Sequence, residues 1–249
     1  MNPTEQQANN TRYDRYPEIF AVARRSAALP KRVLSFGCST GEEVQTLAEK
    51  YFPDAQIVGV DVAPAVLERA KALTSALANV TICASDAAAI LSHAPYDIIF
   101  AMSVLCRNPA PRNWAEFSFE RFEARISEFL EWLLPGGIFV LVNANYNLTQ
   151  SRLIRFFDLI VSPDLEGPGQ VWKLAPNRGV LERPGGGILK NKAATDCVFR
   201  RREEPWPDAK DIPLRIATPE NADLATIWLN FPEKKNPRTV SRPGKESKS

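Results

Sequence analysis

Short apolar runs and amphipathic stripes alternate along the first 145 residues. The short runs, typical of buried strands, are Val33–Leu34, Ile57–Val60, Val80–Ala84, Tyr96–Met102 and Ile138–Val142. The stripes, in which apolar residues recur every three or four positions, follow Gly41, follow Pro64 and extend from Phe119 to Leu133. Because strands that alternate with helices pair in parallel, this pattern predicts a parallel sheet with helices on both faces.

Weaker patterns flank this region. Tyr13, Tyr16, Ile19, Phe20 and Ala23 form a helical stripe that predicts a leading helix. We also predict three later elements: another helix over Arg152–Val161, an antiparallel edge strand over Thr195–Arg200, and a last helix that begins with Thr218 as its N-cap.

The turn after the first strand holds the most specific chemistry. Gly37 and Gly41 allow close approach of backbone to a ligand, and the following helix directs free N–H groups at it. A phosphate-binding loop would need a lysine near Gly41, and a dinucleotide loop would need glycine at two positions that Ser39 and Glu42 occupy. A pair of glutamates at a helix start also repels a pyrophosphate. The loop therefore favours a ligand with a positive charge and an amine, such as S-adenosylmethionine.

The segment Gly37–Glu43 resembles the first motif of class I S-adenosylmethionine-dependent methyltransferases, and its sequence is similar to the corresponding loop of chemotaxis-receptor methyltransferases. Two positions depart from the pattern. Ser35 stands where the family usually has an acid, and Ser39 replaces the middle glycine. These departures leave open a non-catalytic binding module on the same fold.

The resemblance implies a set of cofactor-binding residues for S-adenosylmethionine. Asp61, 24 residues after Gly37, is expected on the ribose hydroxyls, and Asp86 on the adenine amino group. Helix N-capping is the competing interpretation of both carboxylates. Glu42 and its neighbour Glu43 suit a helix first turn, and one of them is a candidate to balance the cationic end of the cofactor. The full expected set is Gly37, Cys38, Ser39, Gly41, Glu42, Asp61, Val62, Ser85, Asp86 and Met102.

Candidates for the acceptor side follow the fourth and fifth strands. Arg107 suits a carboxylate or phosphate, with a surface ion pair as the alternative. Asn145 and Tyr146 suit a polar acceptor, with loop capping as the alternative. No catalytic residue is predicted, because methyl transfer from a sulfonium relies on alignment and needs no obligatory catalytic side chain. No metal site is predicted either.

The expected organisation is α/β, a doubly wound and mostly parallel sheet of about seven strands with helices on both faces. We expect a disordered N-terminus over 1–11 and a methyltransferase domain over 12–204. Within that domain, 30–145 forms the cofactor half and 146–204 the acceptor and lid half. A Pro-rich, basic and largely irregular extension is expected over 205–249.

Composition narrows the function further. The four cysteines have no metal-binding spacing, no apolar run approaches a membrane span, and residues 1–10 lack a signal core, so a cytoplasmic location is expected. The net charge of +2 carries no nucleic-acid signature, although residues 234–249 hold six Lys or Arg against one Glu. The sequence thus indicates methyl transfer to a small molecule or glycan, with an RNA or protein acceptor bound by the basic tail as an alternative. It leaves the oligomeric state open.

Overall fold

The computed structural model describes residues 11–107, 117–165, 171–177, 179–182, 197–221 and 224–231. Most described strands belong to one sheet of nine: β1 (Arg32–Phe36), β2 (Gln56–Asp61), β3 (Val80–Ala84), β4 (Tyr96–Met102), β5 (Leu133–Val142), β6 (Phe157–Ile160), β9 (Val198–Arg201), β10 (Asp211–Ala217) and β11 (Ala225–Asn230). A separate hairpin contains β7 (Lys173–Leu174) and β8 (Val180–Glu182). The α-helices are α1 (Pro17–Ser26), α2 (Glu42–Thr46), α3 (Pro64–Leu73), α4 (Ala87–Leu91) and α5 (Phe119–Trp132). A π-helical turn (Leu47–Tyr51) continues α2, and two 3-10 turns (Leu148–Gln150 and Arg152–Phe156) precede β6.

The strand order is β11-β10-β6-β9-β5-β4-β1-β2-β3. Strands β1 to β5 pair in parallel, β9 is antiparallel to both β5 and β6, and β10 is parallel to β6 and antiparallel to β11. The predicted doubly wound, mostly parallel α/β fold is confirmed. The described sheet is larger than the predicted seven strands, because β10 and β11 extend it.

Successive residues of β1 face the two sides of the sheet. Val33 joins a cluster that includes α1 and α2, whereas Leu34 joins the cluster that contains the apolar face of α5. Both residues are fully buried. Parallel strands that are covered on both faces have continuous apolar sequences. The strands in the first half of the chain could therefore be predicted from the sequence pattern.

Local signals fix the helix starts. Pro17 and Pro64 occupy the first turns of α1 and α3, where a missing N–H costs nothing, and Ser118 caps α5 by accepting from the amide of Arg121. Helix α1 is shorter than the predicted stripe, because Tyr13 and Tyr16 lie before Pro17 and outside the helix.

The expectation that residues 205–249 are largely irregular is wrong for two segments. Strands β10 and β11 form a hairpin, and β10 joins the main sheet through pairing of Ile216 and Ala217 with β6. Ile212 and Leu214 are two positions apart, lie on one face of β10 and are fully buried, so they anchor the strand in the core. The prolines around them obscure this alternation in the sequence.

Three other expectations need correction. The segment Arg152–Val161 is a 3-10 turn followed by β6, because its β-favouring end pairs with β9 and β10. The strand expected at Thr195–Arg200 is present as Val198–Arg201, but it lies between two strands and is not at an edge. Thr218 opens no helix; its hydroxyl accepts from the amide of Asn221 in a turn.

All four cysteines are free thiols: Cys38, Cys106 and Cys197 are buried and Cys83 is half-buried. In the part of the chain that the structure describes, no helix combines the length and apolarity needed to cross a membrane. The expectations of disorder over 1–11 and of the basic tail over 234–249 lie outside the described residues, apart from Thr11.

Candidate functional site

The carboxyl ends of β1, β2, β4 and β5 meet at one edge of the sheet, which we call the strand-end site. Three residues other than glycine adopt positive φ there: Ser39 (51°) after β1, Ser103 (60°) after β4 and Asn143 (53°) after β5. Such backbone conformations cost free energy and cluster at functional sites, because the surrounding structure must impose them. The edge that the sequence predicted to bind ligands is therefore also where the backbone is strained.

The glycine loop is fixed to β2 by backbone hydrogen bonds. The amides of Gly37 and Cys38 donate to the carbonyl of Val60 at 2.8 and 2.9 Å. Gly41 has φ +98°, and a Cβ at this residue would lie 2.9 Å from Cα of Ala70 in α3. Glycine is thus required both by the turn and by the close packing of α2 against α3.

We expect Gly41→Ala to destabilise the protein more than Gly136→Ala does. Both glycines have positive φ, but a Cβ at Gly136 (φ +76°) meets only Oε1 of Glu203 at 3.5 Å. Both variants carry the backbone penalty, of roughly 1–2 kcal/mol, and Gly41→Ala adds overpacking of about 1–3 kcal/mol. Urea unfolding measures the difference, and equal losses would show that the α2–α3 contact does not constrain the loop.

Asp61 connects the glycine loop to the start of α3. Its carboxylate is buried, with 2% of the residue exposed; one oxygen accepts from the amide of Ser39 at 3.0 Å and the other from the amide of Ala63 at 3.1 Å. The N-cap position of α3 belongs to Ala63, so Asp61 is not the cap residue of that helix. The carboxylate is thus fixed at the end of β2 beside the loop, and its contact with ribose stays a prediction.

The remaining predicted cofactor residues are distributed around the same edge. Asp86 caps α4 by accepting from the amide of Ala89 at 2.8 Å, which is the competing role that the sequence left open; its contact with adenine stays a prediction. Ser85 is buried, and its amide donates to the carbonyl of Asp61 at 2.9 Å. Cys38 and Met102 are buried, whereas Val62 is half-buried.

The structure separates the two glutamates of the loop. Oγ of Ser35 donates to Oε1 of Glu43 at 2.8 Å, whereas Glu42 accepts from the hydroxyl of Thr40 at 2.6 Å. Part of the Glu43 residue is exposed, but its carboxyl group is withdrawn from water, and this desolvation raises its pKa to about 7 against the opposing effects of Ser35 and Arg15. A carboxyl group from α2 therefore lies at Ser35, where the family usually carries its acid in the strand.

The β4 and β5 ends carry a polar cluster. The side-chain amide of Asn143 donates to Oγ of Ser103 at 3.0 Å and to the phenol oxygen of Tyr16 at 3.1 Å, and Tyr16 and Ser103 lie 3.4 Å apart. Tyr16 immediately precedes α1, so the leading segment reaches over the strand ends. The leading segment therefore contacts this edge of the sheet through Tyr16.

The predicted acceptor residues divide into two groups. Asn145 is buried and joins three segments: it accepts from the amide of Arg107, and its amide group donates to the carbonyls of Arg107 at 3.1 Å and Trp172 at 2.8 Å. Tyr146 is 1% exposed, donates to the carbonyl of Phe117, and packs against the aromatic rings that cover α5. Burial in the core explains Tyr146 as a packing residue, and a contact with the acceptor stays a prediction.

Known methyltransferases match part of this chain in sequence. The Methyltransferase domain family matches residues 30–168, more than half of the chain. A trans-aconitate 2-methyltransferase of Methylobacterium nodulans is 34% identical over 89 residues, which cover 36% of this chain and 33% of the relative. A malonyl-[acyl-carrier protein] O-methyltransferase of Anoxybacillus flavithermus is 30% identical over 107 residues, 41% of this chain and 40% of the relative. The matches thus span about a third to two fifths of these curated relatives.

Among solved structures, the N-methyltransferase NodS of Bradyrhizobium japonicum shares 19% identity with a TM-score of 0.46 and covers 76% of this chain and 99% of its own. The chain belongs to the Methyltransferase domain family, within the class I S-adenosylmethionine-dependent methyltransferases.

Proposed function

We propose that this protein transfers a methyl group from S-adenosylmethionine to a small-molecule acceptor at the strand-end site. The observation that carries the proposal is the buried carboxylate of Asp61. It accepts a hydrogen bond from the amide of Ser39 and is thereby fixed to the glycine loop, which lies within the residues that the family model matches. The trans-aconitate and malonyl-[acyl-carrier protein] relatives support a small acceptor in preference to a glycan.

The residues at the site fit the cofactor by their chemistry. S-adenosylmethionine supplies an electrophilic methyl group on a sulfonium, together with a cationic amine and a ribose diol. Asp61 offers carboxylate oxygens to the diol, and Glu43 offers a carboxyl group that can ionise beside the cationic end. On the other side, Tyr16, Ser103 and Asn143 present hydroxyl and amide groups that orient the acceptor. Holding both partners in line contributes most of the rate in this type of displacement.

A pH titration tests the role of Glu43. In the free protein Glu43 gains a proton as the pH falls through about 7, whereas a bound cation favours the ionised form. Affinity for S-adenosylmethionine should therefore decrease as the pH falls from about 7.5 to about 5.5, by up to about tenfold per pH unit. We expect Glu43→Gln to bind more weakly at pH 7.5 and to lose this slope, as measured by calorimetry across the pH range.

Glu42→Gln is the matched control, because Glu42 bonds Thr40 and not Ser35. It should keep the slope of the unaltered protein. If Glu43→Gln keeps the slope as well, Glu43 does not balance the cofactor charge.

Activity is tested by incubating the protein with S-adenosylmethionine and a panel of small acids, alcohols and amines, and by measuring S-adenosylhomocysteine release. Cofactor binding without turnover on any acceptor would favour the non-catalytic binding module that the departures at Ser35 and Ser39 motivate.

A further inference from the structure

The two halves of the strand-end site carry opposite charges. On the side of β1 and β2 lie the carboxyl groups of Glu43 and Asp61. Burial raises the pKa of the Cys38 thiol well above its usual value, and these two acids raise it further. This side suits the cationic part of the cofactor.

Lys173 and Arg107 lie on the side of β4 and β5, and a third cation, Arg15, acts on groups of both sides, Cys106 and Glu43. Lys173, 5% exposed, donates from Nζ to the carbonyl of Ala144 at 2.7 Å, one residue after the strained Asn143. Arg107, in the segment that follows β4, is held by its backbone bonds with Asn145. Arg15 directly precedes Tyr16, and its Cζ lies 5.0 Å from the centre of that ring.

These three cations come from segments far apart in the chain, and hydrogen bonds hold their segments together. Asn145 connects the β4 loop, the β5 loop and the segment of Trp172, next to Lys173. Asn143 connects the β5 loop to Tyr16.

The electrostatics of Cys106 agree with this arrangement. Burial raises the pKa of its thiol to about 11, and the charges of Lys173, Arg107 and Arg15, in that order, act in the opposite direction. Three separate cations therefore act on one buried position beside β4.

We infer that the acceptor carries an oxyanion, a carboxylate or a phosphate, that Arg15, Arg107 and Lys173 bind on the β4–β5 side of the site. The inference rests on the proposed function, because the cofactor occupies the acidic side. Guanidinium and ammonium groups form charge-assisted hydrogen bonds to oxyanions, and a buried lysine already fixed in place loses little freedom on binding. The cations orient the acceptor and assist its selection over neutral molecules.

The test is a calorimetric titration with trans-aconitate, inorganic phosphate and the uncharged trimethyl ester of trans-aconitate. Each probe is titrated into the full-length protein alone and into the protein saturated with S-adenosylhomocysteine. The variants are Arg107→Gln and Lys173→Met, and Arg24→Gln, on the exposed side of α1, is the control. Thermal melts establish that each variant is folded.

We expect one of the two oxyanions to bind and the ester not to bind. Arg107→Gln and Lys173→Met should each raise the dissociation constant of that oxyanion about tenfold or more, with S-adenosylhomocysteine affinity unchanged within about twofold. Which anion binds distinguishes a carboxylate from a phosphate acceptor. Equal binding of the ester, or oxyanion binding that both variants leave unchanged, would overturn the inference. Failure of S-adenosylhomocysteine to bind would instead refute the proposed function, and the titrations without it would still decide whether the cationic side takes an oxyanion.

Discussion

Asp158→Ala is expected to lower the free energy of unfolding by about 3–5 kcal/mol. Asp158, on β6, is 2% exposed and bonds two cations: Nη1 of Arg202 at 2.6 Å and Nη2 of Arg215 on β10. Removal of the carboxylate leaves two partly buried guanidinium groups without their shared anion. Because Arg202 also lies 4.0 Å from the ring of Trp206, the loss should loosen the chain that leads into β10. Urea unfolding followed by circular dichroism measures the effect.

Asp208→Ala is the matched control for this experiment. Asp208 pairs with Arg152 at 2.8 Å, but its side chain is 41% exposed, and exposed pairs contribute about 0–1 kcal/mol. A loss of less than about 1 kcal/mol in Asp158→Ala would show that the triad does not hold β10 against β6.

Asp61→Asn is expected to weaken S-adenosylhomocysteine binding at least tenfold, or about 1.5–3 kcal/mol. Both carboxylate oxygens accept backbone hydrogen bonds, from Ser39 and Ala63, and the NH2 group of asparagine cannot replace an accepting oxygen. The variant therefore loses a charged acceptor for ribose and one of the two bonds that hold the loop. Isothermal calorimetry measures the affinity.

Asp54→Asn, at an exposed turn before β2, serves as the control and should bind as the unaltered protein does. A thermal melt of Asp61→Asn separates weaker binding from unfolding. Unchanged affinity in folded Asp61→Asn would contradict the assignment of this carboxylate to the cofactor.

The cofactor side of the site could be predicted because its signals are local. Gly41 and its loop lie between a buried strand and an amphipathic helix, and Asp61 ends the next apolar run, so periodicity and turn chemistry locate both. Parallel pairing then places their strand ends at one edge, without knowledge of any side-chain contact.

The rest depended on long-range contacts that a sequence pattern does not record. The glutamate pair was visible, but only the contact with Ser35 distinguishes Glu43 from Glu42. Arg15 and Lys173 lie far from each other in the chain and from Arg107, and nothing in their local sequence indicates that their segments meet the β5 loop.

The C-terminal strands were missed for a different reason. Strand β11 lies at an edge and is largely exposed, so it lacks the inside–outside alternation of a half-buried strand, and Trp228 is 68% exposed. In β10, Pro213 pointed away from a strand, although an edge-proximal position tolerates it. Asp158 could not be assigned because its partners Arg202 and Arg215 are 44 and 57 residues away.

Calorimetric titration of the purified protein with S-adenosylmethionine, S-adenosylhomocysteine and NAD tests whether the strand-end site binds the methyl-donor cofactor. We predict micromolar binding of both adenosyl ligands and no binding of NAD, because the glutamate-bearing loop favours a cation over a pyrophosphate. Binding of NAD alone, or no binding of either adenosyl ligand, would refute the assignment of this cofactor.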